Sequence, residues 1–143
     1  MTVHKRQKIR EAVAERLRPL HPVYLNRLDP LQRGELPCLA VYSRNEPVET
    51  VSLARKQRRT LELVVDGYLP VSAAPLDDDL DALALRIEQA LAADPRLGGL
   101  VENVALAATT LDAVSDGAIK AGVVRMTFAV TYTTAFGAPG VTP

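Results

Sequence analysis

Few residues of this chain have types suited to chemistry, and their spacing forms no working constellation. The densest group is Asp77-Asp78-Asp79-Leu80-Asp81. Clustered carboxylates suggest a divalent cation, but this run lacks the Gly and the closing Glu of a calcium loop, and successive helical residues point in different directions. The run instead marks a helix start, where acids cap free N–H groups and suit the positive end of the helix dipole. His4 and His21 are the only histidines and Cys38 the only cysteine. Neither histidine has a second His, a Cys or an acid at a ligand spacing, so no metal site is expected. His21, between Leu20 and Pro22 at a helix exit, reads as a surface or structural residue. Cys38 has no partner His in a recognisable context and reads as a small buried hydrophobe on a strand. Gly98-Gly99 and Gly137 belong to no phosphate-binding pattern, and no G-x-x-x-x-G-K-[ST], G-x-G-x-x-G or G-x-S-x-G is present. Neither a cofactor nor an enzymatic activity is expected.

The basic run Arg55-Lys56-Gln57-Arg58-Arg59 carries the other signal. It reads either as a solvated strand entrance or as a contact surface for nucleic acid or an acidic protein. Sequence-specific nucleic-acid reading finds no support, because no aromatic stacking stripe or helix-turn-helix pattern accompanies the charge. The run belongs to a wider asymmetry. Formal charge cancels overall, 17 bases against 17 acids, yet residues 1–60 carry 13 Lys/Arg against six acids and residues 61–143 carry four against 11. A domain built this way has basic and acidic regions able to attract copies of itself or an oppositely charged partner.

At 143 residues, 48% apolar and 24% charged, the chain has the size and composition of one soluble globular domain. Trp is absent and Phe occurs twice, so Leu, Val and Ala must build most of the core. A single cysteine excludes an internal disulfide and fits a reducing cytoplasm. The basic start is followed by no apolar h-region, and no apolar run approaches the ~20 residues of a membrane helix. A soluble intracellular protein with no membrane partner is expected.

The elements that position these residues follow from periodicity. Ile9, Val13 and Leu17 recur every four residues among Arg and Lys, an amphipathic helix with a basic outer face from about Lys5 to Arg18, stopped at Pro19. Val23 to Leu28 suggests a short strand, and Asp29-Pro30 with Gly34 a loop. Cys38 to Ser43 is a β-rich run, Arg44 to Arg58 a long polar excursion broken by Pro47, and Leu61 to Leu69 a second strand with alternating apolar residues. After a small-residue linker, Pro70 to Pro75, the stripe Leu80, Leu83, Ala84, Ile87, Ala90, Leu91 is helical. Two further strands follow, from about Val101 to Ala113 and from Ala121 to Thr134, with Ser115-Asp116-Gly117 between them. In the last, Val124, Met126, Phe128, Val130 and Tyr132 alternate with polar or small residues, so one face is buried. The order α-β-β-β-α-β-β implies an α+β fold, a mostly antiparallel sheet with two main helices on one face. Residues 1–136 form the domain, and 137–143 read as a loose tail.

Taken together, these landmarks resemble a phage family. The basic helix Lys5 to Leu17 and the Leu36-Pro37-Cys38-Leu39-Ala40-Val41-Tyr42 strand entry come first. The strand Arg59 to Val65, the helix Leu80 to Leu91 with its Ile87-Glu88-Gln89-Ala90-Leu91 stretch, the Asp94-Pro95-Arg96-Leu97 exit and the closing strand Met126 to Tyr132 follow. In order and spacing, over nearly the whole chain, they are similar to the tail terminator proteins of long-tailed bacteriophages and prophages, the group of the lambda minor tail protein U. The resemblance implies a structural subunit, made in the host bacterial cytoplasm and carried in the virion tail. It would form a hexameric ring that caps the tail tube, ends its polymerisation and presents a joining surface to the head. Its partners would be further copies of itself, the tail tube protein and a head-completion or neck protein, with DNA passing through the ring. A different neck component, such as a head-closure or tail-completion protein, is the neighbouring reading, and a small nucleic-acid-binding module the more distant one. Head-to-tail ring closure needs two different complementary patches on each copy. The excursion, with Arg44, Arg55, Lys56, Arg58 and Arg59, is the expected assembly surface, mobile in the free subunit and ordered by contact.

Overall fold

In the computed structural model, residues 2–25, 35–71, 75–116 and 119–143 are described, with the backbone alone at 114–116 and 119. The loop around Asp29-Pro30 and Gly34, the end of the Val23 to Leu28 run, the middle of the Pro70 to Pro75 linker and Gly117 lie outside them. The elements in chain order are α1 (Lys5–Leu17), β1 (Val23–Tyr24), β2 (Cys38–Ser43), β3 (Val48–Thr50), β4 (Gln57–Pro70), α2 (Leu76–Ala92), a 3₁₀ turn (Leu97–Gly99), β5 (Asn103–Asp116) and β6 (Ile119–Thr134). The fold is α+β, with one strand more than the alternation suggested, because β3 forms inside the polar excursion.

The strands form one mixed, mostly antiparallel sheet in the order β1-β2-β4-β6-β5, with β3 pairing β4 beside it. Among the described strands, only β1 runs parallel to its neighbour, β2. The central pair is long: β4 and β6 stay in register from Gln57↔Thr134 to Pro70↔Ala121. Alternation marks only part of β4, where Leu61, Leu63 and Val65 flank Glu62, and its middle is buried on both faces. Leu61, Leu63 and Val65 on β4 sit opposite Val130, Phe128 and Met126 on β6, so the apolar sets of both strands share one face. Leu39 and Val41 of β2 join them.

Both helices cover that face. Ile9, Val13 and Leu17 of α1 and Leu80, Leu83, Ile87 and Leu91 of α2 are buried in the same cluster as the inward sheet residues. Each such side chain contributes about 1.5–3 kcal/mol by leaving water. Close approach of α2 needs bare backbone beneath it. A Cβ at Gly67 would stand 2.6 Å from Leu83 Cδ2, and one at Gly122 would stand 2.5 Å from Leu76 Cδ1. The acids Asp77, Asp78 and Asp79 occupy the first turn of α2, as the dipole favours, but the capping position is Pro75, which offers no side-chain acceptor.

Residues 137–143 are not a loose tail. The Lys5 N–H donates to the Pro139 carbonyl at 3.0 Å, the Ala135 N–H to the Val141 carbonyl at 3.1 Å, and the Lys5 ammonium to Thr142 Oγ1 at 2.6 Å. The first helical N–H groups have no partner inside the helix, and the returning chain satisfies one of them. A second is met by His4, whose Nδ1 accepts from the Arg6 N–H at 3.0 Å. Burial and the nearby Arg6 and Arg59 guanidinium groups lower the His4 pKa, which keeps that nitrogen free to accept.

Candidate assembly interface

The excursion between β2 and β4 is a paired arm instead of a free loop. Beyond Ser43 the chain swings alongside β4. The Arg44 N–H donates to the Glu62 carbonyl at 3.0 Å and the Glu62 N–H to the Asn45 carbonyl at 2.8 Å. Pro47 has no N–H to give and only accepts, from the Thr60 N–H at 3.1 Å. β3 then pairs antiparallel with β4 from Val48↔Arg59 to Thr50↔Gln57. The hairpin closes with the Val51 N–H on the Lys56 carbonyl at 2.8 Å and the Arg55 N–H on the Ser52 carbonyl at 2.9 Å. Arg55 takes a left-handed backbone, φ 59°, to make the turn. At its tip Leu53 is fully exposed.

Of the five basic residues expected to act together, Arg58 and Arg59 are separated by strand parity, since alternate side chains of a strand leave opposite faces. Arg58 points outward, exposed, with only a 3.9 Å approach to Glu102. Arg59 points inward. Its guanidinium donates to Glu46 Oε1 at 2.9 Å, to Thr134 Oγ1 at 3.0 Å and to Gln57 Oε1 at 3.2 Å, and its side chain is 11% exposed. Arg44 is exposed but held by Glu62 at 2.6 Å. Arg55 lies over the Phe136 ring, 5.1 Å from its centroid. Lys56 is exposed at the end of the turn. Arg55, Lys56 and Arg58 therefore form an outward surface with Leu53, while Arg59 belongs to the interior.

The residue that draws Arg59 inward is Glu46. Its carboxylate, 6% exposed, accepts from Arg6 at 2.8 Å, from Arg59 and from the Tyr132 hydroxyl at 2.5 Å. Burial raises its pKa, but the hydrogen bonds from Tyr132, Arg59 and Arg6 outweigh burial and hold the carboxyl below its ordinary 4.5. The same hydrogen bond, with burial as the larger cause, pushes the Tyr132 phenol up. A second buried carboxylate lies on the helix-free face. Asp66 accepts two hydrogen bonds from Arg125, at 2.9 and 3.1 Å, plus one from Tyr42 at 2.9 Å and one from Tyr68 at 3.3 Å. Burial first, then the Asp66 charge, pushes the Tyr68 phenol up to about 12. With donors arriving from different elements, both carboxylates tie neighbouring elements together. Periodicity alone does not reveal the Asp66 cluster: Asp66 and Arg125 are direct cross-strand partners only through the β4–β6 register.

Beside the hairpin lies a cleft of about 370 Å³ lined by Lys5, Lys56, Arg58, Arg96, Glu102 and Tyr132, among others. Among the described residues, four cationic side chains and one acidic one face it. Glu102 accepts from Thr133 Oγ1 at 2.6 Å. Lys5 forms part of the floor, its ammonium on Thr142 Oγ1 and, at 3.4 Å, on the Leu100 carbonyl. Burial and neighbouring Lys8 lower its pKa. Neither Lys56 nor Arg96 has an ion-pair partner among the described residues.

Cys38 is buried on β2, and His21 lines a shallow apolar hollow with Pro37, Leu69, Leu83 and Arg86. Among the described residues, no three His, Cys, Asp or Glu side chains gather as metal ligands, and no helix is long and apolar enough to cross a membrane. No protein-family model and no curated protein matches the chain.

Proposed function

We propose that this chain is a structural subunit of a phage or prophage tail, a tail terminator that closes into a hexameric ring on the end of the tail tube. The ring stops tube polymerisation and offers its far face to a head-completion or neck protein. The subunit works in the host bacterial cytoplasm during assembly and remains in the virion tail. Its role is structural, and it needs no cofactor.

One observation carries this reading: a backbone-paired, basic hairpin that ends in a fully exposed leucine. A charged arm tipped by a large apolar residue suits docking, since Leu53 gains by leaving water while Arg55, Lys56 and Arg58 steer the approach. Backbone pairing along the arm means little conformational entropy is lost when it docks. The α+β element order, with two helices on one sheet face, is the one that the periodicity of the sequence implied.

Light scattering and negative-stain imaging, with and without isolated tail tubes, test the proposal. Six-fold rings seated on tube ends are expected. A chain that remains monomeric with tube ends present overturns it. Monomers binding short duplex DNA tightly at moderate salt would favour a nucleic-acid-binding module instead.

A further inference from the structure

Two groups of opposite charge lie at opposite ends of the central strand pair. The cationic cleft sits where β4 begins, at the Gln57↔Thr134 end of the central strand pair. The acidic start of α2 sits at the other end: Leu76 packs over Gly122, whose register partner is Leu69. β4 has 14 residues, so the two charge groups are roughly 40 Å apart. They cannot neutralise each other within one chain. Asp77, Asp78 and Asp81 are exposed and, among the described residues, have no ion-pair partner. Lys56 and Arg96 at the cleft stand in the same condition with opposite sign. Each end also presents an apolar residue, Leu53 beside the cleft and Val71 just past the far end of β4, 106% and 51% exposed.

We infer that the cleft lined by Lys5, Lys56, Arg58 and Arg96 is a docking site for the acidic start of α2 from a second copy of this chain. The inference rests on the ring reading above and names the contact that closes the ring. Unlike patches on opposite ends define a heterologous, head-to-tail interface, the kind that repeats around a closed ring. Asp77, Asp78 and Asp81 enter the cleft from the neighbour, and Lys56, Arg58 and Arg96 supply the opposite charge. Their solvent exposure in the single chain makes the contact salt-sensitive.

Two charge-reversed full-length variants test this. One carries Lys56→Glu, Arg58→Glu and Arg96→Glu, and the other carries Asp77→Lys, Asp78→Lys and Asp81→Lys. All six side chains are exposed, and circular dichroism verifies folding of each variant. Self-association is followed by sedimentation velocity at about 50 and about 500 mM salt. The unaltered chain should associate more tightly at low salt, and each variant alone should lose roughly a hundredfold in affinity. An equimolar mixture of the two should regain association, because every interface then again joins opposite signs. Variants that associate like the unaltered chain overturn the inference and leave the ring reading standing. Loss in each variant without regain in the mixture also overturns it. Unchanged self-association with lost binding of a DNA oligonucleotide by the first variant makes the cleft a polyanion site instead. A chain monomeric at both salts and on tube ends overturns both readings.

Discussion

Glu46 is the residue on which three elements converge. Arg6 from α1, Arg59 from β4 and Tyr132 from β6 all donate to one carboxylate that is nearly shut off from water. Removing one partner of such a pair leaves a buried charge without its counter-ion, which costs more than the pair itself contributes. Glu46→Gln keeps the shape and one acceptor but leaves Arg59 without its anion, and should lower stability by about 3 kcal/mol in urea unfolding. The sign with pH is set by the direction of the shift. The folded carboxyl titrates below its ordinary 4.5, so its contribution is complete above 4.5 and is lost as pH falls through the lower folded value. The gap between parent and variant should therefore narrow as unfolding is measured from pH 7 down to about pH 3. A gap independent of pH would mean that shape, and not charge, makes Glu46 matter. Nothing in the polar run Arg44 to Arg58 marks Glu46 as inward-facing, since its partners are brought together only by the sheet. The split between Arg58 and Arg59 was hidden too, because apolar alternation starts only at Leu61, and strand parity separates the two only because β4 reaches back to Gln57.

At the scale of elements, the chain announced its long strands and both helices, and hid what sits at their edges. The alternation in β6 and the stripe in α2 each encode a single buried face, which is why their positions follow from composition and spacing alone. β3 has three exposed residues and no such face, so only its ladder to β4 reveals it. The C-terminal segment was obscure for a related reason. Gly137, Ala138, Pro139 and Gly140 look like a tail, yet the segment folds back on itself and its Pro139 carbonyl accepts from the Lys5 N–H in the first turn of α1. Gly140 is the tight point: a Cβ there would stand 2.3 Å from the Val3 carbonyl oxygen. Both sides of that contact are main chain, so no rotamer change relieves it. Gly140→Ala should push the segment off α1 at a cost of about 1–3 kcal/mol. Amide hydrogen exchange at Lys5, whose N–H loses the Pro139 carbonyl, should speed up at least about tenfold. Core amides of β4 and β6 should keep their order of protection. Unchanged exchange at Lys5 would show that the segment tolerates the methyl group and does not cap the helix.

For the whole molecule, the division of the basic run decides how the assembly role can be probed. Replacing Arg55, Lys56, Arg58 and Arg59 together would mix two effects, because Arg59 is the inward partner of Glu46 while the others face outward. A variant with Leu53→Ser, Arg55→Ser, Lys56→Ser and Arg58→Ser removes only the tip and the outward surface. Its side chains make no buried contact that the core depends on, so its stability should stay within about 0.5 kcal/mol per substitution of the parent. Its capacity to cap tail tubes should be lost, read as overlong tails and failed joining to heads. Arg59→Ser should do the reverse in mechanism. It leaves Glu46 short of a counter-ion, lowers the melting temperature, and impairs capping only as far as the fold is lost. The outward variant tests the docking surface without touching the framework that holds it. Normal tail length and infectious joining with that variant would remove the hairpin from the assembly surface, whatever the fate of Arg59→Ser. Overlong tails from a variant that melts like the parent would place the hairpin at the contact that ends tube growth.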